Sequence, residues 1–534
     1  MNGTKIYCGF LAALCVSILT YSSVVSETAL GAEVTKPLAT DSGLVQGVME
    51  DGIASFKGIP YAAPPVNELR WRPPQLPSSW NGVRQAEKAG PICPQNTRSV
   101  YPEEILSKYE LSEDCLTLNI WTSVLESDQK LPVMVWIHSG SFRNGAGSMP
   151  RYDGAELAKQ GVVLVTLNYR LGLFGLFAHP SLSEAQEGEA LANYNFMDQV
   201  AALEWVQRNI SAFGGDPDNV TVFGMSAGGV SINYLMTAPA AKGLFQKAAS
   251  QSASHRSPQQ HISQRRGSLP PLEEIGEQIA QSFDIEQGED ALARLRDLSV
   301  EQILLYQREG PRLLLNPVID GKFLTEGLDK TFRAGRQHNV PFLIGATTRE
   351  GTAFAGVNVV EPILQIMSMT REQAQGLYGD LDVPTLKDSL LFDFFFGSQR
   401  YLARQMSTVS APAYLYVFSY ILDAHKDDFP GAPHGAETRY IFKTLHTYEQ
   451  EEPSAVMGNI ISQADLEMSN VVSSYWVDFA KTGNPNSGDR PYWPPFTTEN
   501  EIVLEFGEEI VARENYLKDR LDYHDNIFEA QGTQ

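Results

Sequence analysis

The chain is predicted to fold as an α/β protein, with one large, mostly parallel sheet covered by helices on both faces. Two observations predict this. Short apolar runs at Val133 to Ile137, Val162 to Leu167, Val220 to Phe223, Pro341 to Ile344 and Ala413 to Phe418 have the length and character of strands buried on both sides. Between several of them lie stretches with helical spacing; the clearest is Asp198 to Ile210, with Val200, Leu203, Val206 and Ile210 on one face. At 534 residues, 43% hydrophobic and 10% aromatic, the chain has ample material for a large core.

Taken in order, residues 1–26 read as a cleaved signal peptide: Lys5, an apolar run from Ile6 to Leu19, then small residues to Ser26, with cleavage as late as residue 32 also compatible. The run is short for a membrane span, so no stable membrane insertion is expected, and the mature protein is expected to be secreted or periplasmic. The remainder, 27–534, reads as a single elaborated domain. Leu44 to Phe56 carries a hairpin signature at Asp51-Gly52, and Phe56 to Pro74 is so rich in proline that it reads as an ordered surface layer. The helix at Asp198 to Ile210 runs into a Gly-Gly-Asp-Pro turn. Residues from about 255 to 310 are polar and helix-prone, an insertion placed over the carboxyl edge of the sheet. Ala464 to Thr482 reads as a helix stopped by Gly483 and Pro485.

Composition narrows the function. A formal net charge of -23 opposes binding to phosphate backbones, so nucleic acid is not an expected partner. No H-E-x-x-H, P-loop, dinucleotide fingerprint or cysteine-rich cluster is present, so no metal site is predicted. Two of the four cysteines fall in the signal segment, leaving Cys93 and Cys115 for an oxidising compartment; one disulfide is expected, the alternative being two unpaired thiols.

The chemistry begins at Gly224-Met225-Ser226-Ala227-Gly228, between the strand Val220 to Phe223 and a helix-compatible run through Leu235. A bare G-x-S-x-G would arise by chance in roughly one chain in five of this length, so its strand-to-helix setting carries the weight. Small residues at Gly224 and Gly228 suit a strained turn that projects Ser226, and the amide of Ala227 at the helix start faces the place where an oxyanion would develop. The loop Ile137-His138-Ser139-Gly140-Ser141-Phe142 ends another strand and offers further amides, from Gly140 and Ser141. A serine nucleophile needs a base with its own acid partner. His434, in Gly431-Ala432-Pro433-His434-Gly435-Ala436-Glu437, follows the strand Ala413 to Phe418, and Glu350, in Thr348-Arg349-Glu350-Gly351, follows Pro341 to Ile344. The order Ser, Glu, His is that of α/β-hydrolases.

Together these blocks resemble the type-B carboxylesterase and cholinesterase family, from about residue 34 to about 506. The resemblance rests on FKGIPYAAPP, SEDCLTLNIW (Ser112 to Trp121), WIHSGSF, LNYRLGLFG (Leu167 to Gly175), FGGDPDNVTVFGMSAGG (Phe213 to Gly229), PVIDGKFL (Pro317 to Leu324), TREG and APHGAE. It implies an α/β-hydrolase fold, a Ser226, Glu350, His434 triad, oxyanion amides from Gly140, Ser141 and Ala227, a Cys93 to Cys115 disulfide, and hydrolysis of a small-molecule ester through an acyl-enzyme without metal or organic cofactor. Departures from the family pattern fall at the substrate side. Serines replace the first and third glycines of the oxyanion loop, at Ser139 and Ser141, and Met225 stands where cholinesterases place glutamate. Ser139, Phe142 and Met225 are the candidate pocket residues. No tryptophan lies between Cys93 and Cys115 to hold a quaternary ammonium, so acetylcholine is a poor match. The alternatives are another acyl hydrolase on the same triad, a lipase, thioesterase or amidase, and a non-catalytic binding or adhesion domain of the same fold.

Overall fold

A computed structural model describes residues 33–96, 107–125, 129–254, 256, 259–311, 313, 315–448 and 461–532. The expected signal segment, 1–26, lies outside the described residues. Among the described residues, twelve strands form the main sheet: β1 (Glu33–Val34), β2 (Val48–Glu50), β3 (Ile53–Pro60), β4 (Thr117–Thr122), β5 (Leu131–Ile137), β6 (Val163–Leu167), β7 (Gly215–Met225), β8 (Lys247–Gln251), β9 (Phe342–Thr347), β10 (Ala413–Phe418), β11 (Ile502–Phe506) and β12 (Ile510–Glu514). Their spatial order is β1-β2-β3-β4-β6-β5-β7-β8-β9-β10-β11-β12. The block from β6 to β11 is parallel throughout, with antiparallel strands at either margin.

The parallel block is covered on both faces, and most of its strands, β8 excepted, carry an apolar run. Alternate residues of β5 feed two cores. Val133, Val135 and Ile137 pack with Leu203 and Val206 of α1 (Tyr194–Asn209) and Ile232 of α2 (Ala227–Leu235). Met134 and Trp136 pack on the other face with Phe442 of α4 (Glu437–Phe442) and Trp476 of α5 (Gln463–Thr482). Between α2 and α4 in sequence comes α3 (Val383–Gln405), capped by Asp382, whose carboxylate accepts the Thr385 amide at 2.8 Å. The α5 helix ends as expected at Gly483, in left-handed conformation (φ 78°).

The hairpin at Asp51-Gly52 is present: both residues have positive φ, and Glu50 pairs with Ile53 across a two-residue turn. Two expectations need correction. Phe56 to Pro74 is not a surface layer, because Ile59, Tyr61, Ala62 and Trp71 are buried in the main core and Phe56 to Pro60 belongs to β3. Its prolines punctuate the segment without preventing burial, and a bulge between Phe56 and Ile59 takes up the irregularity. The Gly-Gly-Asp-Pro segment is only partly a turn. Gly214 caps the preceding helical turn in left-handed conformation, and Gly215 already pairs with Leu131, so β7 begins there with an irregularity before Val220. Between β8 and β9, the polar stretch contains helices at Leu272–Ser282, Ala291–Arg296 and Val300–Glu309. Among the described residues, no helix is long and apolar enough to cross a membrane.

Candidate active site

Ser226 sits between β7 and α2 at φ 56°, ψ −119°, a conformation that costs a non-glycine residue roughly 1–3 kcal/mol. The surroundings hold it there. Its amide donates to the Gln251 carbonyl at 2.8 Å, and its carbonyl accepts the Val230 amide of α2 at 2.8 Å. A side chain at Gly224 would come within 2.7 Å of the Gly228 backbone and 2.8 Å of the Ile137 carbonyl oxygen, and one at Gly228 would collide with that same carbonyl. Strand, helix and the start of the Ser139 loop can therefore meet only because both positions lack a Cβ.

The Ser139 loop is shaped by consecutive positive φ angles at Gly140 (117°), Ser141 (55°) and Phe142 (58°). Among the described residues, the amides of Gly140, Ser141 and Ala227 donate to no protein acceptor. Support comes from below: the Tyr169 hydroxyl donates to the His138 carbonyl at 2.8 Å, and the two rings stack with centroids 4.2 Å apart. Burial pushes the His138 imidazole down to about 4, so it remains neutral there. Arg170, next along the LNYRLGLFG block, is held by a buried two-pronged ion pair to Asp198 of α1, at 2.8 and 2.7 Å. Cys93 and Cys115 are joined by a disulfide. Two residues on from Cys93, the Gln95 side chain accepts the Gly145 amide at 2.8 Å and donates to the Gly145 carbonyl at 3.0 Å, tying the cross-linked segment to the loop.

Glu350 and His434 lie beyond the carboxyl ends of β9 and β10, on the same sheet edge as Ser226. The strands' pairing continues into their loops: the Arg349 amide donates to the Ala432 carbonyl at 2.8 Å, and Arg349 bridges Pro433 in parallel register. Glu350 is fully buried. One carboxylate oxygen accepts the Thr347 amide at 2.9 Å and the Thr347 hydroxyl at 3.0 Å, while the other is paired with His434 Nδ1. The Thr352 hydroxyl accepts the His434 amide at 2.8 Å, and the Phe395 ring of α3 packs against the imidazole at 5.4 Å. A side chain at Gly435 would run into Met225, so the residues flanking His434 and Ser226 are in contact. Burial, the largest influence on His434, disfavours the imidazolium, but the charge and hydrogen bond of Glu350, with Glu437 behind them, outweigh it and hold the group above its ordinary 6.5.

The three candidate pocket residues are all buried. The Ser139 hydroxyl lies 3.2 Å from the Tyr152 hydroxyl, so it is engaged with the protein; Phe142 packs on Phe196 at 5.3 Å, and Met225 lies against Gly435. Sequence reasoning gave no role to Glu437, which is fully buried three residues after His434; the only signal was its place in the APHGAE block. Among the described residues, no group of three or more His, Cys, Asp or Glu side chains is arranged to hold a metal ion.

A parallel sheet whose carboxyl edge carries the strained Ser226 turn after β7, Glu350 after β9 and His434 after β10 defines an α/β-hydrolase. The chain matches the Carboxylesterase family over residues 34–380 and 383–524 and belongs to it; its class is that of a carboxylic-ester hydrolase. It is 37% identical over 489 residues to the para-nitrobenzyl esterase of Bacillus subtilis, covering 89% of this chain and 95% of that protein. To the fumonisin B1 esterase of Sphingopyxis macrogoltabida it is 34% identical over 491 residues, covering 89% and 87%. A solved para-nitrobenzyl esterase structure superposes with a TM-score of 0.78 at 34% identity, over 91% of this chain and 98% of the other.

Proposed function

We propose that the protein hydrolyses a small-molecule carboxylic ester through an acyl-enzyme on Ser226, with His434 as general base and Glu350 as its orienting acid. The observation that carries this is the His434 Nδ1 to Glu350 pair, on two loops bridged by Arg349 and Pro433, at the sheet edge that also presents the strained Ser226. Glu350 holds the proton of His434 on Nδ1, leaving Nε2 as the basic nitrogen. As Ser226 Oγ attacks the ester carbonyl carbon, Nε2 takes the hydroxyl proton, and the carbonyl oxygen becomes an oxyanion received by the amides of Gly140, Ser141 and Ala227. The carbon–oxygen bond to the alcohol then breaks, with the Nε2 proton passing to the departing alkoxide. Water repeats the sequence on the acyl-enzyme: Nε2 takes its proton, hydroxide adds, and Ser226 leaves reprotonated with release of the acid. Each oxyanion donor of this kind contributes about 3 kcal/mol of transition-state stabilisation.

The test is labelling by a fluorophosphonate with peptide mapping, alongside a short p-nitrophenyl ester. Label on Ser226 with a burst of nitrophenol is expected; folded protein that neither labels nor turns over the ester would refute the assignment. The N-terminal pattern from Lys5 to Ser26 and the Cys93–Cys115 disulfide support export from the cytoplasm. An exported protein whose N-terminus begins between residues 27 and 33 is expected.

A further inference from the structure

Glu437 opens α4 three residues after His434, and its carboxyl group is sealed from solvent. A buried carboxyl is ordinarily matched by a cation or by a full set of donors. Here the Tyr416 hydroxyl of β10 donates to Oε1 at 3.1 Å, and the Ser252 hydroxyl, just past β8, makes a longer 3.5 Å contact with the same oxygen. Oε2 has no partner among the described residues. The intervening strand makes room for this: Gly345 of β9 pairs with Tyr416, a side chain there would strike the Tyr416 ring, and the Gly345 carbonyl accepts the Ser252 amide at 2.8 Å. The ionisable groups facing Glu437 are Glu350, His434 and the Tyr416 hydroxyl.

We infer that Glu437 is a positioning residue for ester hydrolysis: a second buried carboxyl behind the Glu350–His434 pair, whose negative charge, when present, strengthens His434 as a base. This rests on the proposed role of His434. Two buried carboxylates cannot both ionise freely beside one imidazole, so one is held back. Burial and then the charge of Glu350 push Glu437 up to about 7, so it is the member that keeps its proton until near neutrality. Tyr416, pushed well above 10 by burial and by Glu437, stays a hydroxyl donor and favours the anion.

The decisive experiment is the pH dependence of fluorophosphonate labelling and of kcat/KM for a p-nitrophenyl ester, in the native protein and in Glu437→Gln. The glutamine keeps an acceptor for Tyr416 but cannot ionise, so the acid limb is expected to move to lower pH by roughly half a unit to one unit. Tyr416→Phe, which withdraws support from the Glu437 anion, is expected to move it the same way by less, and serves if Glu437→Gln does not fold. A purely structural role would lower stability and leave the limb in place; an unmoved limb in the folded variants, with native labelling still on Ser226, overturns this inference alone. Absence of Ser226 labelling in the native protein overturns the esterase mechanism as well.

Discussion

Around Ser226 the site is made of backbone, whereas around His434 it is made of buried side chains. The serine half needs a strained φ,ψ pair, two positions without a Cβ and amides left without acceptors among the described residues, all within short segments of β7, α2 and the loop after β5. The histidine half needs Thr347, Glu350, Thr352, His434, Glu437 and Tyr416, drawn from three separate stretches and brought together only by the pairing of β9 with β10. Backbone requirements mark a sequence with glycines at fixed spacing. A constellation of ordinary Thr, Glu and Tyr residues leaves no such mark, and its electrostatics exist only after folding.

The two halves are expected to fail most severely at Ser226 and at Glu350, the partner of His434. Ser226→Ala is expected to lower kcat by about a million-fold while circular dichroism stays native; a loss of only tenfold would remove Ser226 from the chemistry. Glu350→Gln keeps the shape of the histidine half but spoils its tautomer control, and steady-state kinetics should show a loss of about ten thousand-fold. On the serine half, Gln95→Ala leaves the disulfide intact but releases Gly145, and misplacement of the Ser139 loop should reduce kcat/KM by roughly ten- to a hundredfold. An unchanged kcat/KM would show that the loop holds itself. The smallest effect is the pH response of the native protein. A base must be neutral to accept a proton, and His434 is held above its ordinary 6.5, so kcat/KM should rise with pH through a midpoint above 6.5. A midpoint well below that value would mean that Glu350 does not act on it.

The same contrast explains what could be read in advance. Strands β5, β6, β7, β9 and β10 announced themselves as apolar runs, and β10 has the predicted limits, Ala413 to Phe418. Its neighbour β8, Lys247–Gln251, was not assigned, because a strand of Lys, Ala, Ala, Ser and Gln has no apolar signature. Its residues are nonetheless buried, and the Ser250 hydroxyl donates to the Gly229 carbonyl at 3.0 Å. The α3 helix also escaped notice: buried from Leu390 to Ala403, it lacks the polar face that gives a helix its period. Yet it supplies Phe395 against His434. His434 and Glu350 were legible as loop residues after strands and through the family resemblance, while Glu437, quoted within the same block, had no role until Tyr416 was seen to reach it across Gly345.

Hydrolysis through an acyl-enzyme requires that Ser226 carry the acyl group during turnover. Rapid acid quench of the protein with excess p-nitrophenyl ester, followed by intact-mass and peptide mass spectrometry, tests it most directly. One acyl group per chain is expected, on the peptide containing Ser226 and absent in Ser226→Ala. A burst of nitrophenol with no acyl adduct in samples quenched during the first turnover, or an adduct on another residue that survives Ser226→Ala, would overturn the mechanism.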